Sequence, residues 1–420
     1  MLVKRIFDPI HRFIELDEGE MRLVGLPAMQ RLRRLRQLGL AYLAFPSAEH
    51  SRFSHVLGAL AVGERVLQSL RTHSGDYFKD EADFQAHRRL LRASLLIHDV
   101  GHGPFSHSCE AVLGRRHETR TAAILALPDV HRALADIELD SFEVLSLIAG
   151  GPTRYPVLRE LVSGPNLDCD RMDYLLRDAY FTGVSGGGYD FDQLIASLRI
   201  LNIDGKPQLG VDGRGVVALE SFVLARYMMF ATVYFHHTTR MFERVLQDGL
   251  RELWPNPSLL DGIDEYLAWD DFRVFEELRR IGSEAGTALR DRITIYGLAT
   301  EFTAERDLTV FAACERALRE RWQDAVWSDS QEELLHRLPL GAVMHAPMEG
   351  AAPTVWVGTP RGVVDAREAS DLIGKLSGKA YWRKLFVDKR RVDVEEARAV
   401  CREIDVRMRH EGEPLPFARS

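Results

Sequence analysis

The sequence predicts a mainly α-helical protein that carries a β-hairpin insertion and a small α+β region at its C-terminal end. Apolar residues recur every three or four positions over most of the chain, which is the spacing of amphipathic helices. The spacing alternates at residues 199–217, and after about residue 335 strand-like segments mix with Gly/Pro turns. We therefore expect a helical domain at 1–330, with its core at 45–250, and a small α+β region at 331–420.

The composition is that of a soluble globular protein with an ample core. The chain has 420 residues, 46% of them hydrophobic and 28% charged, and a formal net charge of -8. A negative chain has no overall attraction for nucleic acid, so nucleic acid is kept only as a less favoured partner.

The cellular location is predicted from the cysteines and the N-terminus. The four cysteines are far apart and form no CxxC pair, which favours a reducing compartment. The N-terminus lacks a hydrophobic signal core, and we expect no apolar run to approach the length of a membrane span. We expect a cytoplasmic protein with no membrane partner.

The helices before residue 180 are predicted from apolar stripes, caps and breakers. The stretch 19–39 spaces its apolar residues by threes and predicts one helix. A second helix begins after Ser51 or Ser54 and runs to about residue 73, and a third covers 84–99 before Gly101 and Gly103-Pro104. Shorter helices are predicted at 105–113, 117–126, 140–149 and 168–179.

Later elements follow from turn signals and a second long apolar run. The pairs Asp204-Gly205 and Asp212-Gly213 predict a hairpin at about 199–217. A long helix is expected from Glu220 to about Leu253, and further helices are expected across 257–325.

The string HDVGHGPFSH at 98–107 places three histidines and an acid within ten residues. His98 and Asp99 are neighbours, so on a helix their side chains point about 100° apart. Both can bind one ion only if the ion lies against the side of the helix between them. Other helices must then supply further ligands. The spacing of His98 and His102 alone would instead suggest two zinc ligands on one face.

Further ligand candidates lie on two other predicted helices. His55 stands in an apolar helical stretch, and Asp168, Asp170 and Asp173 stand close together near residue 170. Two imidazoles and two carboxylates suit a divalent ion such as Mn, Fe, Mg, Ni, Co or Zn. Spacing alone does not choose among the three acids.

Several stretches in this order resemble one known family. They are DPIH at 8–11, QRLRRLRQLG at 30–39, SRFSHVLG at 51–58, HDVGHGPFSH at 98–107, HE at 117–118, DCDRMDYLLRD at 168–178 and ARYMMFATVYFHHTTRMFE at 225–243. Together they resemble the HD-domain phosphohydrolases, and among these the deoxynucleoside triphosphate (dNTP) triphosphohydrolases. The resemblance covers roughly residues 4–250 and implies an HD-domain helical bundle around one divalent metal ion.

The resemblance implies a role for each matching residue near that ion. The implied metal ligands are His55, His98, Asp99 and Asp170. The implied catalytic residues are His117, Glu118 and His102, with Glu118 orienting His117. The implied substrate-binding residues are Arg52, Gln37, Leu38, His107, Arg171, Tyr174, Asp178 and His237.

These implied substrate contacts divide by the part of the nucleotide. Arg52, His107 and Arg171 would face phosphate, and Gln37 with Leu38 would lie near the sugar. Tyr174 and Asp178 would read the 3′-hydroxyl, with the tyrosine ring crowding out a 2′-hydroxyl, and His237 would lie near a phosphate or the base.

The sequence departs from the branch at three positions: Val233 replaces an arginine, Met241 replaces an aromatic residue, and Gly25 replaces an acid. Val233 stands where an arginine would face the γ-phosphate, although Arg240 or Arg244 follows on the same helix. The leading hypothesis is hydrolysis of a dNTP to deoxynucleoside and triphosphate by water attack at the α-phosphorus. The alternatives are a nucleotide monophosphate phosphatase or phosphodiesterase/nuclease, and a non-catalytic nucleotide-binding regulator. The resemblance also implies a homo-oligomer, either a dimer or a tetramer.

Overall fold

The structure is a computed structural model that describes residues 4–334, 355–376 and 379–411, and it is mainly α-helical, as predicted. The α-helices are α1 (Glu18–Gly25), α2 (Pro27–Arg31), α3 (Arg52–His73), α4 (Glu81–Ile97), α5 (His107–Leu113), α6 (His117–Leu125), α7 (Pro128–Ala135), α8 (Ser141–Ile148), α9 (Pro156–Ser163), α10 (Cys169–Thr182), α11 (Phe191–Ser197), α12 (Val216–Met229), α13 (His237–Leu253), α14 (Ile263–Leu267), α15 (Asp271–Arg280), α16 (Glu284–Arg290), α17 (Leu308–Trp322), α18 (Ala366–Ala369), α19 (Asp371–Lys375) and α20 (Val394–Glu411).

The strands form three small sheets. They are β1 (Lys4–Asp8), β2 (Arg12–Leu16), β3 (Leu198–Ile203), β4 (Lys206–Asp212), β5 (Tyr296–Phe302), β6 (Val326–Leu334), β7 (Trp356–Thr359), β8 (Gly362–Asp365) and β9 (Lys379–Asp388). β1 and β2 make an antiparallel hairpin, and the other two sheets have the orders β3-β4-β7-β8 and β5-β9-β6. Only the pairing of β4 with β7 is parallel among these.

The bundle that positions the site is built around α3, which packs on α4 and α10. Ser51 caps α3 and its side chain accepts from the Ser54 backbone N–H, so the first of the two predicted caps is the one used. Asp80 and Asp168 cap α4 and α10 in the same way. The buried faces of these helices belong to one large apolar core, which fixes their relative positions.

Two predicted helices are interrupted. The stretch 19–39 divides into α1, α2 and a short 3-10 turn because Pro27 forces Leu26 into an extended conformation. The long helix begins at Val216 rather than Glu220, passes through a π-helical turn at Phe230–Tyr234 and restarts at His237. The break falls in a run of aromatic, histidine and threonine residues, which are weak helix formers.

The C-terminal strands pair with strands from earlier in the chain. β7 extends the β3-β4 hairpin, and β9 lies between β5 and β6. β5 stands where only helices were expected, and β6 crosses the expected domain boundary at 330/331. The boundary itself stays a prediction, but these pairings tie residues on both sides of it into shared sheets.

One helical stretch of the described chain, Gly213–Tyr234, is long and apolar enough to cross a membrane by length and composition alone. The expectation that no apolar run approaches a membrane span is therefore wrong on length and composition. Half of its most apolar window is buried inside the protein.

Candidate metal centre and its surroundings

The structure brings three of the four predicted metal ligands together. His55 lies on α3, His98 caps the end of α4, and Asp170 lies in the first turn of α10. Their ligand atoms all lie within 4.8 Å of one another. Asp170 Oδ1 is 2.8 Å from His55 Nε2 and 3.6 Å from His98 Nε2. Three helices therefore direct two nitrogens and one carboxylate oxygen at the same small volume.

The second nitrogen of each imidazole already has a partner. His55 Nδ1 is 2.8 Å from Asp173 Oδ2, and His98 Nδ1 is 2.8 Å from the Leu95 carbonyl oxygen. Both partners are acceptors, so each Nδ1 donates and each Nε2 faces the centre. Among the described residues, neither buried Nε2 atom has a hydrogen-bond partner with suitable geometry. The 2.8 Å contact between His55 Nε2 and Asp170 Oδ1 is short but is not aligned as a hydrogen bond. A divalent ion fits this donor set.

Charge at the centre also favours a cation. Burial lowers the pKa of His55, but Asp170 and Asp173 outweigh this effect and raise that pKa to about 10. Burial raises the pKa of Asp170, but His55 and His98 outweigh it and hold that pKa well below its usual value. The carboxylates that stabilise a proton on His55 would equally stabilise a metal ion in its place.

Asp99 lies beside this group rather than within it. Its Oδ1 is 3.4 Å from His98 Nε2, and its Oδ2 is 3.9 Å from His55 Nε2. The same Oδ2 accepts a hydrogen bond of 2.5 Å from Arg52 Nη1, and Arg52 also donates to Ser106 Oγ. Asp99 as a fourth ligand stays a prediction, because Asp99 must share its carboxylate between the ion and Arg52.

Next to Asp99 stands a close group formed by His102, Glu110 and His117, whose ligand atoms lie within 4.8 Å of one another. The rings of His102 and His117 stack with centroids 3.8 Å apart, and His102 Nε2 is 3.3 Å from Asp99 Oδ1. Burial lowers the pKa of His102 to about 4, and the neighbouring Arg52 acts in the same direction.

The structure corrects the predicted partner of His117. Its Nδ1 lies 2.9 Å from Glu110 Oε1 but 3.7 Å from Glu118 Oε2. Glu118 Oε1 instead accepts from Arg116 Nη2 at 2.6 Å. Neighbouring residues on a helix point in different directions, so the Glu118 carboxylate lies farther from His117 Nδ1 than the carboxylate supplied by α5 does. Glu110, which the sequence had not identified, is thus the hydrogen-bond partner of His117 Nδ1 in the structure.

Gly101, the first glycine of the HDVGHG string, lets α6 approach the metal ligands. A Cβ on Gly101 would lie 2.2 Å from the His117 carbonyl oxygen and 2.7 Å from the Thr121 backbone nitrogen. Both are backbone atoms, so α6 would have to move to admit a side chain. Gly101 thereby sets the distance between the metal ligands and His117.

We expect Gly101→Ala to destabilise the protein by about 1–3 kcal/mol, because a methyl group must be inserted into a packed backbone contact. Displacement of His117 should also lower the rate of hydrolysis. Urea unfolding and steady-state kinetics measure the two effects. Gly25→Ala is the matched control, since a Cβ there meets nothing within 4 Å. Equal behaviour of the two variants would contradict the role given to Gly101.

A wall of polar side chains leads away from the metal ligands. The ring of Tyr174 lies 6.4 Å from that of His55 and 6.3 Å from that of Tyr234. Asp178 accepts from the Tyr234 hydroxyl at 2.8 Å, and its other oxygen lies 2.7 Å from His50 Nε2. Asp178, which was predicted to contact the sugar, is thus buried and already hydrogen-bonded to Tyr234 and His50. The sequence had not singled out either partner.

Three polar atoms of the same wall are buried without a partner in the described structure. They are the Tyr174 hydroxyl, Gln37 Oε1 and His50 Nδ1. Gln37 joins the wall through its backbone N–H, which donates to the His50 carbonyl at 2.9 Å. Leu38, beside it, packs partly buried against the main core. A buried polar atom without a partner is costly unless a ligand or water satisfies it, so these atoms are candidate ligand contacts.

The remaining predicted substrate residues lie in different settings. Arg171 Nη1 donates to the Gly164 carbonyl at 2.6 Å and pairs with Asp168, so this side chain folds back on the start of its own helix. His237 begins α13, is exposed and lies beside His236. His107 begins α5, but its side chain lies outside the described part of the structure.

The comparisons with known proteins agree with an HD-domain helical bundle. A family model described as HD associated region matches residues 189–296. The solved structure of a hypothetical protein from Aquifex aeolicus superposes with a TM-score of 0.78 at 31% identity, covering 95% of this chain and 100% of that one.

Two curated relatives extend the comparison. YwfO of Bacillus subtilis, an uncharacterized protein, is 37% identical over 242 residues, which are 57% of this chain and 53% of the relative. A Dictyostelium discoideum protein called deoxynucleoside triphosphate triphosphohydrolase SAMHD1 homolog is 26% identical over 261 residues, 59% of this chain and 49% of the relative. The chain thus spans about half the length of these relatives. It belongs to the HD-domain phosphohydrolase family and resembles its dNTP triphosphohydrolases.

Proposed function

We propose that this protein is a metal-dependent phosphohydrolase that acts on nucleotides, with a dNTP as substrate and deoxynucleoside plus triphosphate as products. The observation that carries the proposal is the convergence of His55, His98 and Asp170 beside the group of His102, Glu110 and His117. The similarity to the relative called a dNTP triphosphohydrolase supports the choice of substrate. The unpaired Tyr174 hydroxyl and Gln37 Oε1 support a ligand with hydrogen-bonding groups beyond the phosphates.

Metal binding, phosphate contacts and proton transfer are assigned to different residues of the chain. A divalent ion held by His55, His98 and Asp170, with Asp99 as the fourth ligand, would supply Lewis-acid charge beside the reacting phosphorus. Arg52 and His102 donate hydrogen bonds to phosphate oxygens. As the oxygen of water bonds to the α-phosphorus and the bond to the 5′-oxygen breaks, His117 gives the 5′-oxygen a proton. The water loses a proton to the solvent, and His117 takes a proton back from the solvent. Glu110 holds His117 in place for this transfer.

A phosphatase or phosphodiesterase with a shorter pocket is the second candidate. Val233 is fully buried, and the arginines that follow it on α13 are already engaged. Arg240 makes two hydrogen bonds of 2.9 Å to Asp329, and Arg244 lies 3.2 Å from Asp248. Neither is therefore available, without breaking an ion pair, to neutralise a γ-phosphate.

Metal reconstitution with product analysis separates the two candidates. The metal-stripped protein is loaded singly with Mg, Mn, Fe, Co, Ni or Zn and incubated with dNTPs, NTPs, monophosphates and short single-stranded DNA. We expect one or more loaded forms to release nucleoside and intact triphosphate from dNTPs, and the stripped protein to release neither. Consumption of monophosphates or DNA with no turnover of triphosphates would replace the first candidate by the second.

A further inference from the structure

The DPIH string of the N-terminal hairpin is a motif that the proposed function leaves without a task. It forms the end of β1 and the turn before β2. The aromatic side chains that flank the turn, Phe7 and Phe13, are 60% and 66% exposed. The side chains of Asp8 and His11 are instead only 6% and 2% exposed. The hairpin therefore directs two polar residues into the protein.

His11 reaches the carboxylate that holds a metal ligand. Its Nε2 lies 2.6 Å from Asp173 Oδ1, while the other oxygen of Asp173 lies 2.8 Å from His55 Nδ1. Asp173 is fully buried. A single carboxylate thus connects the N-terminal turn to the back of the His55 ring.

Asp8 holds the same carboxylate from a second direction. Arg177 donates to both oxygens of Asp173, at 2.8 and 2.9 Å, and its Nη1 donates to Asp8 Oδ2 at 2.8 Å. The other oxygen of Asp8 accepts from the backbone N–H groups of Ile10 and His11, both at 2.9 Å. Asp8 therefore shapes the turn that carries His11 and also fixes Arg177 on Asp173.

The helix that carries His55 leaves room for this arrangement. Gly58 lies three residues after His55 on α3, and a Cβ there would lie 2.0 Å from Asp173 Oδ1 and 2.2 Å from Arg177 Nη2. A larger residue would displace the carboxylate and the guanidinium together. Residues from three elements, the hairpin, α3 and α10, are thus fitted around Asp173.

We propose that Asp8 and His11 are positioning residues of the metal centre, which fix Asp173 and through it the orientation of the His55 ring. The inference rests on the proposed function only in requiring that the site bind a divalent ion. A metal-ligating histidine is oriented by the acceptor of its other N–H, and loss of such partners typically costs metal affinity. Without His11, Asp173 Oδ1 keeps only Arg177, so the carboxylate and the ring behind it can turn.

The test is a titration of the metal-stripped full chain with Co²⁺, with no nucleotide present. The apparent Kd is measured by competition with a chelator, the ligand field by the visible absorption of bound Co²⁺, and the fold by thermal unfolding without metal. The variants are His11→Ala, His11→Gln and Asp8→Asn. Arg5→Ala, an exposed residue of the same hairpin, is the control.

We expect His11→Ala to weaken Co²⁺ binding about 10- to 100-fold and to change its absorption. Gln can donate to Asp173 from a similar place, so His11→Gln should recover most of the affinity. Asp8→Asn should weaken binding in the same direction, and it provides the answer if His11→Ala does not fold. Arg5→Ala should match the parent.

Co²⁺ affinity and absorption within twofold of the parent in His11→Ala and Asp8→Asn would overturn the inference, even if their thermal stability fell. A purely structural role predicts that result. Because these readouts need no turnover, a parent that binds Co²⁺ but hydrolyses no nucleotide would refute the proposed function alone. A parent that binds neither Co²⁺ nor any of Mg, Mn, Fe, Ni and Zn would overturn both.

Discussion

Replacing Asp170 by alanine is expected to remove the metal ion and, with it, hydrolysis. Asp170 supplies the carboxylate oxygen that faces both imidazoles, at 2.8 Å from His55 Nε2 and 3.6 Å from His98 Nε2. Two neutral nitrogens would be left to hold a dication, together with Asp99, whose carboxylate is already shared with Arg52. We expect metal content to fall from about one ion per chain to near zero, and kcat to fall by at least about 10³-fold.

Metal analysis and product chromatography on the same preparation measure both effects. The matched control is Asp192→Ala, which removes a carboxylate that is 82% exposed and pairs only with Arg65 at the surface. It should keep the metal and the rate of the parent. An Asp170→Ala protein that retained a tightly bound divalent ion would contradict the assignment of the centre, whatever its activity.

The second large effect is expected from Glu110→Gln. Glu110 lies 2.9 Å from His117 Nδ1. In the proposed function it holds the face of the ring that is presented to substrate. A glutamine of the same shape removes the negative charge and can offer its amide N–H to the ring, which favours the wrong tautomer. We expect kcat to fall about 10²-fold, with metal content and KM close to those of the parent.

Glu118→Gln is the comparison that makes this experiment decisive. The partner of Glu118 is Arg116, whose side chain is 53% exposed, and we expect a change in kcat of less than about threefold. Both variants replace a glutamate by a glutamine, at positions eight residues apart on α5 and α6. A larger loss in Glu118→Gln than in Glu110→Gln would restore the partner that the sequence had suggested.

The helical class of the fold was predictable because its signals are local. The apolar period, the cap at Ser51 and the glycines after His98 each act within a few residues, and the structure agrees at all three places. The interruptions were less visible. Pro27 was a readable signal that a continuous apolar stripe concealed, whereas the break before His237 depends on weak propensities that tertiary packing decides.

At the site, the sequence predicted residues better than contacts. His55, His98 and Asp170 follow from the resemblance, but Glu110, Asp173 and His50 were not singled out for their roles. These residues act as partners of other side chains, across separations that no local pattern encodes. His102 and Glu110 are eight residues apart, with Gly103-Pro104 between them. Their spacing therefore shows no helical period that would have paired them with His117.

The late pairing of the sheets bears on how the chain folds during synthesis. β4 is complete at residue 212 and β5 at residue 302, yet their partners β7 and β9 end only at residues 359 and 388. A growing chain therefore exposes open strand edges while much of the later sequence has still to emerge from the ribosome. We expect the nascent protein to depend on chaperone protection during this interval, and chains released early to aggregate through these edges.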